Sequence, residues 1–103
     1  MLSSAHRELL KTIGNAQRFE IMMHLRQSPL NVNQIVEKTG LKQTAASHHL
    51  RRLRQCRFVE VKEQGRERVY SVRRNPVDQF FRLLDQHAEK YCRYFCIPSQ
   101  KAQ

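Results

Sequence analysis

GLKQTAASHHLRRLRQCRFVEV, residues 40–61, is the stretch of this sequence that decides the fold. After the opening glycine, apolar residues recur at helical spacing and predict a helix from about Lys42 to Gln55. Just before it, Val32–Lys38 predicts a shorter helix, and Thr39-Gly40 supplies the turn between the two. Two helices joined by a short glycine-containing turn are typical of a helix-turn-helix unit.

A β-hairpin is predicted after the longer helix. Apolar residues alternate partly with polar ones on both sides of the turn segment Gln64-Gly65-Arg66. These apolar residues are Phe58, Val59, Val61, Val69, Tyr70 and Val72. Basic residues lie at the tip of the hairpin, so we interpret it as the wing of a winged helix-turn-helix.

Helices are also predicted at both ends of the chain. Apolar spacing indicates helices at Ser3–Ile13 and Ala16–Arg26, and a last helix that opens at Pro76 and ends near Pro98. The predicted fold is mainly α with a small β-hairpin wing, in the order α-α-α-α-β-β-α. Because the last helix is broadly apolar and the chain is small, we expect a dimer formed through the terminal helices. We expect a single domain at residues 1–98 and a short tail at 99–103.

Charge and composition narrow the class of partner. The 103 residues include 19 Lys plus Arg against nine Asp plus Glu, a formal charge of +10. Such a surplus favours a polyanion, since phosphate binding gains from counterion release, but it does not choose between DNA, RNA and an anionic membrane. The sequence has no apolar run near the roughly 20 residues of a membrane span and three cysteines without disulfide-framework spacing. We therefore expect a cytoplasmic protein with no membrane partner.

Three stretches of the chain resemble the ArsR/SmtB family of bacterial and archaeal winged-helix repressors. They are GNAQRFEIMMHL (Gly14–Leu25), the stretch at Gly40–Val61 with its Ser-His-His-Leu element, and QGRERVYSV (Gln64–Val72). The resemblance implies a homodimeric transcriptional repressor that binds a palindromic operator in double-stranded DNA and is released by an effector.

Candidate DNA contacts fall on the longer helix and on the hairpin. The amino-terminal residues of a recognition helix reach base edges in the major groove, and arginines on the helix and wing bind phosphates. The candidates are Gln43, Thr44, Ser47, His48, Arg51, Arg52, Arg66 and Arg68. His49 lies beside Leu50 and one turn before Leu53, so a packing role is as well supported for it as a contact with DNA.

Members of the resembling family commonly sense metals, in the third helix or on the last helix. Where metal sensors carry thiolates in the third helix, residues 30–34 include Asn31 and Asn33, whose amides are poor ligands for soft metals. On the last helix, Asp85 and His87 lack an evident second cluster at the family's spacing. We therefore predict no required cofactor, and no metal site in the third helix or at Asp85 and His87.

Cys92 and Cys96 form the remaining candidate effector site. They are four residues apart and hence on one helical face. Near a dimer axis the pair could bind a soft metal or an arsenical as thiolates, or oxidise as a thiol switch. The alternative is that both are small core residues.

Other classes of function compete with DNA binding. An enzyme is excluded on the grounds that the sequence has no glycine-rich phosphate loop and no nucleophile motif. A winged-helix module for protein interaction or dimerisation remains an alternative, as does a DNA-binding repressor with no small-molecule effector. An RNA reader is less favoured, because the aromatic residues fall mainly on predicted core or dimer faces.

Overall fold

The computed structural model describes residues 2–92, with Cys92 described in its backbone alone. These residues divide into two compact units, one that ends at Arg73 and one that begins at Arg74. The boundary expected at residue 98 lies outside the described residues. The elements are α1 (Ser4–Ile13), α2 (Ala16–Gln27), β1 (Leu30–Asn31), α3 (Val32–Thr39), α4 (Gln43–Gln55), β2 (Val59–Gln64), β3 (Glu67–Val72) and α5 (Arg74–His87).

The helices begin where side chains can cap them. Ser3 caps α1 through His6 N–H (3.2 Å), and Asn15 caps α2 through Arg18 N–H (3.0 Å). At α3 the cap is reciprocal: Asn31 Oδ1 accepts from Gln34 N–H (2.8 Å), and Gln34 Oε1 accepts from Asn31 N–H (2.9 Å). Such caps satisfy amide groups that the helix itself leaves unpaired. Asn31 therefore caps α3 and does not offer its side chain to a metal ion.

A three-stranded antiparallel sheet of order β1-β3-β2 completes the first unit. Its hairpin pairs Val59 with Val72 and closes at the pair Gln64 and Glu67. The two-residue strand β1 was not predicted from the sequence, and it pairs Leu30 with Tyr70 on the other side of β3. The predicted helix and hairpin order is otherwise confirmed, and the inner strand of the hairpin is hydrogen-bonded on both sides.

The core of the first unit lies between α2, α3, α4 and the sheet. Its apolar side chains come from each of these elements, and the periodicity that predicted the helices also predicted most of them. The buried residues are Ile21, Met22, Leu25, Leu30, Ile35, Ala46, Leu50, Leu53, Phe58, Val59, Tyr70 and Val72. One face of α4 is thereby fixed against the core, which leaves its opposite face to solvent.

The second unit consists of α5 and a short π-helical turn at Ala88–Cys92. Asn75 has extended backbone angles (φ −118°, ψ 120°), so regular helix starts at Pro76 as expected. Within this unit the rings of Phe80 and Phe81 pack edge to face with centroids 5.8 Å apart. Leu83 and Tyr91 are exposed.

Candidate nucleic-acid interface

The turn between α3 and α4 sets the direction of the longer helix. Gly40 ends α3 with a left-handed φ of 76°, and its N–H donates to Val36 O (2.8 Å). A Cβ at this position would meet no heavy atom within 4 Å, so the glycine is favoured by its backbone angle rather than by lack of space. Leu41 N–H then donates to Thr39 Oγ1 (3.2 Å), which holds the chain as it turns into α4.

The solvent face of α4 carries most of the predicted helix contacts. Its first two turns and the start of the third place five exposed side chains around one open depression. They are Gln43, Thr44, Ser47, His48 and Arg51. Amide, hydroxyl, imidazole and guanidinium groups together can donate and accept hydrogen bonds at base edges and phosphates. The structure thus brings these predicted residues together on one surface.

His49, on the opposite side of α4, is a packing residue. It is 7% exposed, and its Nδ1 accepts from Arg18 Nε (3.2 Å) while Nε2 bonds Gln17 Oε1 (2.9 Å). Because Arg18 can only donate, Nδ1 is the acceptor and the proton lies on Nε2. Burial, followed by the positive charges of Arg18 and His48, lowers the pKa of His49. Neutral His49 therefore joins α4 to α2 and is turned away from the exposed face.

Arg52 is not brought together with the other predicted contacts. Its guanidinium forms an ion pair with Glu8 of α1, in which Nη2 donates to Oε1. This hydrogen bond, with the charge of Arg52, lowers the pKa of the Glu8 carboxyl. The sequence could not reveal the pair, because its partners are 44 residues apart. Arg52 thus has an internal partner that Arg51 lacks within the described residues.

The wing presents its two predicted arginines differently. Gly65, with φ 64°, is the first of two turn residues, the place that glycine takes in a type II′ hairpin turn, and Arg66 is the second. Arg68 lies on β3 with its guanidinium carbon 5.9 Å from the centroid of the Tyr70 ring. Both arginines are exposed, but the cation–π contact restrains Arg68, which pairs with Glu63 next to the pair that closes the turn. Arg66, in the turn itself, is the arginine at the tip of the wing.

Further arginines, outside the eight candidate contacts, lie next to this face. Arg51 also lines a second depression, which is shared with Arg54, Arg57 and Arg73. Arg57 and Arg73 are 16 positions apart in sequence, so only folding brings them together. The run of basic residues after Leu50 was the available signal, but it did not indicate a common cleft.

The cysteine prediction lies largely beyond the part of the chain that the structure describes. Cys96 lies outside the described residues, as does the side chain of Cys92. Cys56 is a half-buried free thiol, 3.0 Å from Thr12 Oγ1, which itself donates to Glu8 O (2.9 Å). Within residues 2–91 no group of three or more His, Cys, Asp or Glu side chains is placed to hold a metal ion. Among the described helices, none is long and apolar enough to cross a membrane.

A helix-turn-helix whose second helix exposes a polar and basic face, followed by a basic hairpin, defines a winged-helix DNA-binding protein. Comparison with known proteins agrees. The family model of bacterial regulatory proteins of the arsR family matches residues 15–61.

The chain is similar to individual regulators over most of its length. It is 35% identical over 80 residues to the HTH-type transcriptional regulator NmtR of Mycobacterium tuberculosis. This match covers 78% of this chain and 67% of that protein. It is 34% identical over 79 residues to the transcriptional repressor PagR of Bacillus anthracis, covering 76% and 79% of the two chains.

A solved structure shows the same fold. The homodimeric winged helix-turn-helix DNA-binding domain of a possible ArsR-family transcriptional regulator from Mycobacterium bovis matches with a TM-score of 0.81 and 26% identity. The match covers 87% of this chain and 83% of that one. The chain belongs to the ArsR family and is a DNA-binding transcriptional regulator, not an enzyme. The family and the winged helix-turn-helix fold predicted from the sequence are confirmed.

Proposed function

We propose that this chain is a homodimeric repressor that binds a palindromic operator in the cytoplasm of a bacterium or archaeon. The observation that carries the proposal is the exposed face of α4, where Gln43, Thr44, Ser47, His48 and Arg51 surround one depression. An α-helix fits the major groove, and its amino-terminal side chains are the ones that meet base edges. A module that binds only other proteins does not need such a polar and basic helix face.

Two kinds of contact are assigned to the interface. Gln43 can pair with both N6 and N7 of adenine, whereas Thr44 and Ser47 can bond bases or phosphates, so these residues select the sequence. Arg51 on α4 and Arg66 on the wing supply charge to the phosphates and position the protein without selecting a sequence. Arg68 is assigned to the phosphates as well. Arg52 is the weakest of the predicted contacts, because Glu8 already neutralises it.

Dimerisation is supported by apolar side chains that remain exposed in the single chain. On α1, Leu9 is 37% and Leu10 54% exposed, and on α5, Leu83 is 62% exposed. Exposed leucines gain stability when association removes them from water. PagR is described as a repressor and the M. bovis domain as homodimeric, which favours both parts of the proposal.

For the effector, we propose a response to a soft metal, an arsenical or an oxidant through Cys92 and Cys96. The support is their four-residue spacing in the sequence and the affinity of thiolates for soft ions. A homodimer contains two copies of the pair, so its thiols could form intersubunit disulfides or bind a soft ion as thiolates. If the Cys92→Ser/Cys96→Ser variant responds to As(III), Cd(II) and oxidant as the native protein does, the pair is not the sensor.

One experiment tests the DNA-binding proposal as a whole. Duplexes are selected from a random pool by the full chain, and the selection is repeated with As(III), with Cd(II), with oxidant and with reductant. We expect two inverted half-sites whose centres are about 10 base pairs, or a multiple of that, apart. Affinity for the selected duplex should fall steeply as salt is added. A pool that yields no enriched sequence contradicts the proposal and favours the protein-interaction module.

A further inference from the structure

An arginine cleft lies between the end of α4, the strand β2 and the end of β3. We define the arginine cleft as the depression lined by Arg51, Arg54, Arg57 and Arg73, which share it with Glu60. Within the described residues, none of the four arginines belongs to an ion pair. Four guanidinium groups against one carboxylate make the cleft strongly electropositive, and guanidinium forks match the oxygens of a phosphate.

The backbone angle at Arg57 disfavours arginine, so the fold alone does not explain why an arginine occupies this position. Arg57 has a left-handed φ of 67° and lies in a Schellman motif, which ends α4. Its N–H donates to Arg54 O (3.0 Å), and Phe58 N–H donates to Leu53 O (2.9 Å). Glycine is the residue usually found at this position of such a helix ending, because side chains disfavour left-handed angles. A strained residue at a surface site is a reason to look for a function of its side chain.

Arg73 adds a second, independent observation. Its Nε is buried and has no hydrogen-bond partner among the described residues. A buried donor without an acceptor is unfavourable, so the arginine is held at this place at a cost to stability. Arg73 N–H donates to Phe58 O (2.9 Å), which fixes the arginine beside the turn that carries Arg57.

The position of Arg51 identifies the source of the anion. Arg51 lines both the arginine cleft and the depression around Gln43 and Ser47, so the two surfaces are continuous. We infer that the arginine cleft binds a backbone phosphate of the DNA whose bases the amino-terminal half of α4 reads. Arg54, Arg57 and Arg73 thus extend the interface beyond the eight candidate contacts. This inference rests on the proposed function.

The variant Arg57→Gly tests the inference, because glycine adopts the left-handed angle freely and the protein should fold at least as well. Affinity for the selected operator and for a random duplex is measured over a range of salt concentrations. Arg7→Gln, which removes an exposed charge from α1, is the control. We expect Arg57→Gly to weaken both duplexes by a similar factor, about 3- to 10-fold, and to reduce the log–log salt slope by about 0.9, the value for one phosphate.

Operators with a neutral methylphosphonate at single backbone positions locate the phosphate. One position should weaken native binding and leave Arg57→Gly unaffected. If Arg57→Gly keeps the native affinity and slope, or loses no more than Arg7→Gln, the inference is overturned while the proposed function stands. If the native chain binds no duplex even at low salt, the proposed function fails as well.

A third arm separates DNA from a free anion. Inorganic phosphate is titrated into the native chain and Arg57→Gly at constant ionic strength, and binding is followed by nuclear magnetic resonance. Phosphate binding that Arg57→Gly abolishes, with duplex affinity unchanged, overturns the assignment to the DNA backbone and assigns the cleft to a free anion.

Discussion

Arg18 Nε donates to His49 Nδ1 across 3.2 Å and thereby joins the second helix to the buried side of the recognition helix. The same guanidinium reaches the end of α1, where Nη1 donates to Lys11 O (3.2 Å) and Thr12 O (3.1 Å). One side chain therefore ties three helices, and the imidazole can accept its hydrogen bond only while Nδ1 carries no proton.

Stability should consequently depend on pH through His49. Burial and the neighbouring positive charges lower its pKa in the folded protein, whereas an unfolded histidine titrates near 6.5. Above about pH 6.5 the residue is neutral in both states, and its stabilising contribution is fully present. As the pH falls below that value, the unfolded chain takes up the proton first, so the free energy of unfolding decreases until the pH passes the lower folded pKa. Urea titrations between pH 8 and pH 5 measure this decrease.

The variant His49→Gln isolates that contribution. Glutamine keeps an acceptor for Arg18 but does not titrate, and the remaining histidines are common to both proteins. We expect the variant to be less stable than the native protein at pH 8 and to lose less stability on acidification. Parallel curves for the two proteins would show that another group carries the pH dependence.

Base reading and phosphate binding should separate in the pair Gln43→Ala and Arg66→Ala. Loss of a base contact costs about 1–3 kcal/mol on the operator alone, whereas loss of a phosphate contact weakens all duplexes and reduces the salt slope by about 0.9. Filter binding or fluorescence anisotropy on operator and random duplexes measures both. Equal losses on the two duplexes for Gln43→Ala would contradict its assignment to the bases.

Two adjacent arginines of α4 should differ in their effect on binding. Arg51 lines the DNA-reading depression, while Arg52 is paired with Glu8. We expect Arg51→Gln to reduce duplex affinity several-fold more than Arg52→Gln. In a double-mutant cycle with Glu8→Gln, Arg52 should show only a weak coupling in unfolding free energy, because solvent screens an ion pair at the surface. A loss of affinity for Arg52→Gln as large as that for Arg51→Gln would assign Arg52 to the DNA.

Left-handed positions should respond in opposite directions to substitution. Gly40→Ala places a side chain at φ 76° without any clash and should cost about 1–2 kcal/mol of unfolding free energy. Arg57→Gly removes that strain at φ 67°, and relief by a similar amount is offset in part by the greater backbone entropy of unfolded glycine. Thermal and urea unfolding of both variants measure the difference. A marked loss of stability in Arg57→Gly would mean that the arginine side chain holds the fold.

The helices and the hairpin could be predicted from sequence because their signals are local. Apolar spacing and the glycine turns lie within a few residues of the elements that they define. Strand β1 carries no such signal, since Leu30 and Asn31 are too few to show alternation and are held by pairing with β3. The left-handed φ of Arg57 could not be predicted either, because arginine in a sequence does not indicate such an angle.

The part of the candidate site that depends on local helix geometry could be predicted from the sequence, whereas the part that depends on packing between distant segments could not. Gln43, Thr44, Ser47 and His48 share a face because helical geometry alone places them there. The pairing of Arg52 with Glu8 and the meeting of Arg57 with Arg73 depend on how distant segments pack. Sequence periodicity indicates which face of a helix is free, but not which of its charges are already neutralised.

The position of β3 between two strands has a consequence for how this regulator can diverge. Leu30 and Val61 both pair with Tyr70, so the stem of the hairpin is part of the sheet, whereas Gly65 and Arg66 lie beyond its last paired residues. Residues inserted at that tip would lengthen the wing without disturbing any core side chain. New flanking contacts with an operator could therefore be acquired by loop insertion, independently of the helix that reads the bases.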